Sequence, residues 1–258
     1  MQGPEYSGPL LGIRRLSKSF MVNGSRVEVL KDLSFEAREK EFVCILGQSG
    51  CGKSTLLKVM AGFIPLDSGQ VLFQGSPITK PGPERCVVFQ EDALFPWLTI
   101  EENIGFGLVK KTRGQRQKQV DKFLGLVGLS PFRKYLPKEI SGGMKQRVAL
   151  ARVLVLNPRI LLMDEPFAAL DAQTRENMQD LLLALWQTLG HTIVFVTHDV
   201  REAVALSDRT MVMNQGPGDF ARIVDINLDR PRFQEDERFM GYVGRLKRLV
   251  SSADTGRP

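Results

Sequence analysis

The strongest chemical signal in the chain is a run of residues from 47 to 55: Gly47, Gln48, Ser49, Gly50, Cys51, Gly52, Lys53, Ser54 and Thr55. They fit the phosphate-binding pattern G-x-x-x-x-G-K-[ST]. Glycines at 47, 50 and 52 let the backbone curl until successive N–H groups point at phosphate oxygens. Lys53 can reach the β- and γ-phosphates of a nucleoside triphosphate, and the Ser54 hydroxyl suits Mg²⁺. The pattern has this meaning only between a strand and a helix. Glu41 to Leu46 is a short apolar run of strand length, and Thr55 to Ala61 starts a helical pattern whose positive end adds to the field on the phosphates.

Residues 160 to 166 read Ile-Leu-Leu-Met-Asp-Glu-Pro, an apolar strand delivering two carboxylates at its C-terminal edge. Open α/β sheets bind their ligands at that edge. Alone, such a pair reads as a solvated turn. Downstream of a phosphate loop, Asp164 is placed for the Mg²⁺ shell and Glu165 to polarise water against the γ-phosphate. At 140 to 147, Ile-Ser-Gly-Gly-Met-Lys-Gln-Arg opens a helix, with Ser141 at the N-cap and Gly142 and Gly143 loosening the backbone. That helix end suits an anion, although physics alone favours an ordinary capped helix.

The elements that must hold these residues follow from short apolar runs. Segments 42–46, 86–89, 160–163, 192–196 and 210–213 are rich in Val, Ile or Leu, as parallel strands buried on both faces should be. Helical patterns alternate with them. In one, Met178, Leu181, Leu182, Leu185 and Leu189 share a face. The expected fold is α/β: a parallel or mixed sheet flanked by helices. Before it, residues 11–20 and 26–35 read as an antiparallel β subdomain, a hairpin turning at Asn23-Gly24. Patterns near 101–108, 115–127 and 142–156 predict a helical subdomain, 91–157, inserted into a core of 11–90 and 158–232. Residues 1–10 read as a tail, and 233–258 as a terminal helix followed by a second tail.

Bulk properties bound the reading. A chain of 258 residues, 43% hydrophobic and 25% charged, is an ordinary globular protein of one large domain or two small ones. The net charge of +6 suits an anionic ligand or a membrane-adjacent partner, a generic solvated surface explains it equally, and it is a weak signal for nucleic acid. Cys44, Cys51 and Cys86 have no metal-site spacing, and their odd number argues against a disulfide framework and for a reducing cytosol. Cys51 reads as a small loop residue rather than a reactive thiol. The N-terminus has no signal-peptide pattern, and no apolar run is long enough to cross a bilayer. A membrane role would run through a partner.

The phosphate loop, Ser141-Gly142-Gly143, Asp164-Glu165-Pro166, Ala169-Leu170-Asp171 and Val196-Thr197-His198-Asp199 follow one another in that order. This arrangement resembles the ATPase subunit of an ABC transporter, over about residues 11 to 232. The resemblance implies a phosphate-loop NTPase core that uses ATP and Mg²⁺. It implies that Phe20 stacks on adenine, and that Gln90 touches Mg²⁺ and the attacking water. It also implies that Ser141 and Gly143 bind the γ-phosphate held by an opposite subunit, that Asp171 lies at the dimer seam, and that His198 contacts the γ-phosphate. His191, in a Gly-His-Thr turn, reads as an ordinary surface histidine. The chain departs from the commonest family signature at Met144, where the family has Gln, and at Ile140, where it has Leu.

Finer features are similar to the nitrate/sulfonate/taurine importer group: Phe89 to Trp97, Asp164 to Phe167, and Asp229-Arg230-Pro231-Arg232. That group's tight Pro-Gly-Arg-Ile turn is lengthened here to Pro217-Gly218-Asp219-Phe220-Ala221-Arg222-Ile223. The resemblance implies integral membrane permease subunits as partners, a periplasmic solute-binding protein indirectly, and a second copy of the chain docked head to tail, with no nucleic acid. It places the chain peripherally on the cytoplasmic face of the membrane. Leu94, Phe95 and Trp97 are then expected to form a partly exposed cluster receiving a short permease helix. Soluble ABC ATPases that act on DNA or ribosomes carry tandem cassettes or long coiled coils, whereas this chain has one phosphate loop and no sustained heptads. A non-hydrolysing regulator is opposed by the presence of both Glu165 and His198.

Overall fold

A computed structural model of the chain describes residues 8–90 and 93–253. Most of the expected tails, together with Glu91 and Asp92 at the start of the expected helical subdomain, lie outside the described residues. In chain order the elements are β1 (Leu11–Val22), β2 (Ser25–Ala37), β3 (Phe42–Leu46), α1 (Lys53–Ala61), β4 (Ser68–Phe73), β5 (Ser76–Pro77) and β6 (Arg85–Val88). There follow α2 (Ile100–Gly105), α3 (Arg113–Leu126), α4 (Gly142–Leu154), β7 (Ile160–Asp164), α5 (Ala172–Leu189), β8 (Thr192–Thr197), α6 (Val200–Leu206), β9 (Arg209–Met213), β10 (Phe220–Asp225) and α7 (Glu237–Ser252).

Packing divides the chain into two compact units, one of residues 1–82 with 191–258, the other of 83–190. In the first unit, one antiparallel sheet runs β2-β1-β4-β5, and a second group of strands runs β10-β9-β3-β8. The β1–β2 hairpin turns where Asn23 and Gly24 take φ of 50° and 80°, the left-handed pair that matches strand twist. β3 pairs in parallel with both β8 and β9. Every residue of β3 and of β8 is buried, as a central parallel strand requires. The second unit holds the parallel pair β6–β7 with helices α2 to α5. This is the α/β class read from the sequence, antiparallel β layer included.

Three strands escaped the sequence reading. β4 and β5 border a half-exposed sheet, and in β4 only Val71 and Phe73 are buried. Gly69 in β4 has a φ of 89° and passes so close to β1 that a Cβ would lie 2.2 Å from the Arg15 carbonyl oxygen. β10 adds antiparallel to β9 with one buried residue, Val224. β4 and β5 lack the apolar density of a buried strand, and in β10 Arg222 interrupts the apolar residues. The terminal helix starts at Glu237 rather than at 233 because the Asp236 carboxylate caps it, accepting the Arg238 N–H at 2.7 Å. On α5, Met178, Leu182 and Leu185 are buried as expected, while Leu181 and Leu189 are only half-buried.

Candidate functional site

The phosphate loop lies in the first unit, at the carboxyl ends of parallel strands. Leu46 pairs with Thr197 of β8 and with Val212 of β9, and the Gly47 N–H donates to the Thr197 carbonyl at 3.3 Å. Gly50 and Gly52 take φ of 84° and 102°, the left-handed region where a side chain is strained. Position 52 excludes a side chain twice over, because a Cβ there would meet Leu30 Cδ2 at 2.8 Å and the Val29 carbonyl at 3.0 Å. Gly52 is also the N-cap of α1, with no side chain accepting from the first turn. The Lys53 Nζ donates to the Gly47 and Gln48 carbonyls, both at 2.8 Å, so a nearly buried ammonium is held against the loop. Ser49, Gly50 and Ser54 are exposed, and Thr55 is half-buried.

Two cysteines are buried here, Cys51 in the loop and Cys44 in β3. Cys51 is 1% exposed, which fits a packing role and leaves no accessible thiol. Burial pushes the Cys44 thiol of β3 far above its usual range, and the Glu202 carboxylate pushes the same way. Phe20, on β1 and half exposed, carries the Lys18 ammonium 5.3 Å from its ring centre. That lysine is anchored by the Asp67 carboxylate at 2.8 Å, which lies below its ordinary pKa chiefly because of this bond.

His198 is exposed just past the end of β8, beside the loop-bearing end of β3. Asp199 follows it and caps α6, accepting the Arg201 N–H at 2.7 Å. The other end of α6 is held by the late arginines. Arg232 donates to the carbonyls of Val204 at 2.6 Å and Ser207 at 2.7 Å, and Arg230 donates to that of Leu206 at 2.6 Å. Burial lowers the Arg232 pKa to about 10. His191, expected at the surface, is instead 5% exposed, because it immediately precedes the buried strand β8.

The remaining candidates lie in the second unit. Val88 of β6 pairs with Met163 of β7, so Gln90 and the Asp164-Glu165 pair emerge from the same edge of that strand pair. Gln90 is exposed and both carboxylates are half-buried. Glu165 takes φ 45°, a left-handed conformation that costs a non-glycine residue about 1 kcal/mol or more. The turn after it is tied to α4, since the buried Gln146 side chain donates to the Pro166 carbonyl at 2.6 Å. Ser141 caps α4, its Oγ accepting the Met144 N–H at 3.3 Å. Gly142 is open to solvent, whereas a Cβ on Gly143 would lie 2.6 Å from Thr174 Cγ2 of α5. Asp171 caps α5 by accepting the Thr174 N–H at 3.0 Å, which also depresses its pKa.

The same unit presents aromatic surface. Trp97 is 73% exposed, with its ring 5.8 Å from Phe95, and Phe95 lies 4.3 Å from the half-exposed Phe106. Asn103, fully buried, fixes this loop by accepting from the Phe95 N–H and donating to the carbonyls of Phe95, Leu98 and Thr99 at 3.0–3.1 Å. Of the expected Leu94–Phe95–Trp97 cluster, Phe95 and Trp97 are in ring contact with Trp97 exposed, Leu94 is half-buried, and Phe106 joins the aromatic surface.

Sequence reasoning missed the supports of the loop. The Gly218 N–H donates to the Val29 carbonyl at 2.8 Å, its own carbonyl accepts from Lys31 at 3.1 Å, and a Cβ there would lie 2.3 Å from the Cys51 carbonyl oxygen. Gln215 donates to the Gln48 side chain. The lengthened turn at 217–223 was visible in the sequence, but nothing there located it against the phosphate loop.

A glycine-built phosphate loop ending a parallel strand and opening a helix defines a nucleotide-binding protein of the phosphate-loop class. The family model described as ABC transporter matches residues 30–168, and the chain belongs to that family, as one of its ATPases. It is 47% identical, over 93% of its length and 91% of the relative's, to an uncharacterized ABC transporter ATP-binding protein of Methanocaldococcus jannaschii. It is 44% identical, over 89% of its length and 91% of the relative's, to the aliphatic sulfonates import ATP-binding protein SsuB of Bacillus thuringiensis subsp. konkukian. Among solved structures it is similar to cbiO1 from Clostridium perfringens, part of the ABC transporter complex cbiONQ, with TM-score 0.78, 27% identity, and coverage of 95% of this chain and 98% of that one. It is also similar to the dimeric ATP-binding cassette MJ0796 bound to ADP and Pi, with TM-score 0.72, 29% identity, and coverage of 85% and 100%.

Proposed function

We propose that this chain is the ATP-hydrolysing subunit of an importer of the nitrate/sulfonate/taurine group, working through permease partners at the cytoplasmic face of the membrane. The likeness to the sulfonate import protein over 89% of the chain carries this reading. Among the described residues no helix is long and apolar enough to cross a membrane. The aromatic surface of exposed Trp97 on half-buried Phe95 supplies an apolar seat for a permease helix.

In this reading Lys53 and the N–H groups of residues 48–54 bind the ATP phosphates, and Phe20 stacks on adenine. Glu165 accepts a proton from the attacking water, and Gln90 and His198 orient water and γ-phosphate. Ser54 and Asp164 offer hard oxygen donors that suit Mg²⁺. Among the described residues no group of three or more His, Cys, Asp or Glu forms a cage, which fits a cation held partly by nucleotide oxygens. When bound, Mg²⁺ would neutralise charge on the phosphates. A second copy, docked head to tail, would complete each site with its Ser141 and Gly143 N–H, and Asp171 would lie at that seam. ATP would close the dimer and hydrolysis would open it, giving the permease a mechanical stroke.

A tagged Glu165→Gln chain tests the scheme. With MgATP its turnover should fall about 10³-fold while ATP stays bound, and the chain should elute as a dimer. A membrane permease should copurify. Ribosomes or DNA in its place would identify a soluble ABC ATPase, and wild-type turnover would remove Glu165 from the chemistry.

A further inference from the structure

Glu202 lies outside the ordered motifs, yet it is a carboxylate only 6% exposed, at the third position of the helix that follows the His198 turn. Burying such a group is unfavourable unless its oxygens are hydrogen-bonded. Its place in the helix is N3, counting from the N-cap Asp199. In a capping box the N3 side chain reaches back to the N–H of the N-cap residue. Here a third group stands between them. The Asp199 N–H donates to Thr197 Oγ1 at 3.0 Å, and Thr197 Oγ1–H donates to Glu202 Oε2 at 2.6 Å. Asp199 completes the box in the usual way, accepting from the Glu202 N–H at 3.4 Å.

The inserted threonine links this box to the phosphate loop. Thr197 lies opposite Leu46 in the β3–β8 ladder, and its carbonyl accepts the Gly47 N–H at 3.3 Å. Its carbonyl therefore fixes the first residue of the loop, while its hydroxyl fixes the far side of the turn carrying His198. A hydroxyl has one proton and two lone pairs. Here the Thr197 proton goes to Glu202 Oε2, which leaves a lone pair of the same oxygen facing the Asp199 N–H. An apolar side chain at 202 would leave that hydroxyl free to rotate.

We infer that Glu202 is a positioning residue for ATP hydrolysis: acting through Thr197, it holds His198 in fixed register with the start of the phosphate loop. This rests on the assignment of His198 to the γ-phosphate, and the test separates the two.

The full-length chain is compared as wild type, Glu202→Ala, Glu202→Gln, His198→Ala and the Glu202→Ala/His198→Ala double variant, by MgATP turnover and by calorimetric MgATP binding. Glu202→Ala should lower kcat about tenfold and leave the MgATP dissociation constant within about twofold. Glu202→Gln keeps length and an acceptor oxygen and should recover turnover to within about threefold of wild type. In the His198→Ala background, Glu202→Ala should cost less than about twofold more, because the residue it positions is gone. Wild-type turnover in Glu202→Ala, or losses that multiply in the double variant, would overturn the inference. Full turnover in His198→Ala alone would overturn the His198 assignment and the relay with it. If Glu202→Ala does not fold, Thr197→Val replaces it in the same cycle, with Thr197→Ser as the variant expected to recover turnover.

Discussion

Helices α1 and α4 begin in opposite ways. α1 starts after Gly52, in a left-handed conformation and with no side chain accepting from its first turn. Its geometry is imposed from behind by Leu30 and Val29, which leave no room for a Cβ at position 52. α4 starts after Ser141, an extended residue whose own hydroxyl accepts from the first turn, at a long 3.3 Å. The first start is fixed by backbone and packing, so its N–H groups are preorganised and cost little to aim at phosphate. In the second, the backbone is packed at Gly143 against Thr174, but the Ser141 hydroxyl is held by a single long bond, which a better partner can replace. In a scheme where ATP closes a dimer, a permanent cradle on one copy and a re-aimable hydroxyl on the other divide the work between binding and closure.

The contrast breaks most visibly at Gly52→Ala. Left-handed strain and overlap with Leu30 should destabilise the chain by about 2 kcal/mol or more, and ATP affinity should fall by at least about 100-fold, some 2.7 kcal/mol. Thermal melting and calorimetry read both, and near-normal affinity would mean that the loop tolerates a different path. Ser141→Ala comes next. Loss of the cap should cost about 1 kcal/mol of stability, and turnover should drop about tenfold while ATP affinity of the single chain holds. If turnover holds as well, α4 is an ordinary capped helix and the two-copy site fails. The smallest effect belongs to Met144→Gln, which installs the commoner family residue one position past the glycines. The cap uses only the backbone N–H of residue 144, so stability should move by no more than about 0.5 kcal/mol. A large change in turnover there would show that the departure at 144 has a function of its own.

What the sequence disclosed and what it concealed follow the range of the interactions involved. The loop, the Asp164-Glu165 strand and the Asn23-Gly24 hairpin are local patterns, and each lies where those patterns place it. β4, β5 and β10 were missed because strands this exposed bury too few residues to produce a run. His191 was misplaced because a turn composition said nothing about the strand it precedes. Glu202 had a legible cue, since Asp199 to Glu202 has capping-box spacing, but the burial that gives the cue its weight is tertiary. In the sequence, the arginines at 230 and 232 carry only a family likeness. That they close the carbonyl end of α6 depends on a chain reversal no local pattern encodes.

The turn between β9 and β10 touches Cys51, Val29 and Lys31 through a single glycine, Gly218. Because no Cβ fits at that point, a side chain there would press the turn and the phosphate loop apart. A selection for altered nucleotide affinity in this chain should therefore return substitutions far beyond the loop motif in sequence, in a segment that routine mutagenesis would treat as spare surface. The late turn is the loop's back wall, and redesigning its length or composition is a way to tune ATP affinity without altering any residue of the G-x-x-x-x-G-K-[ST] pattern.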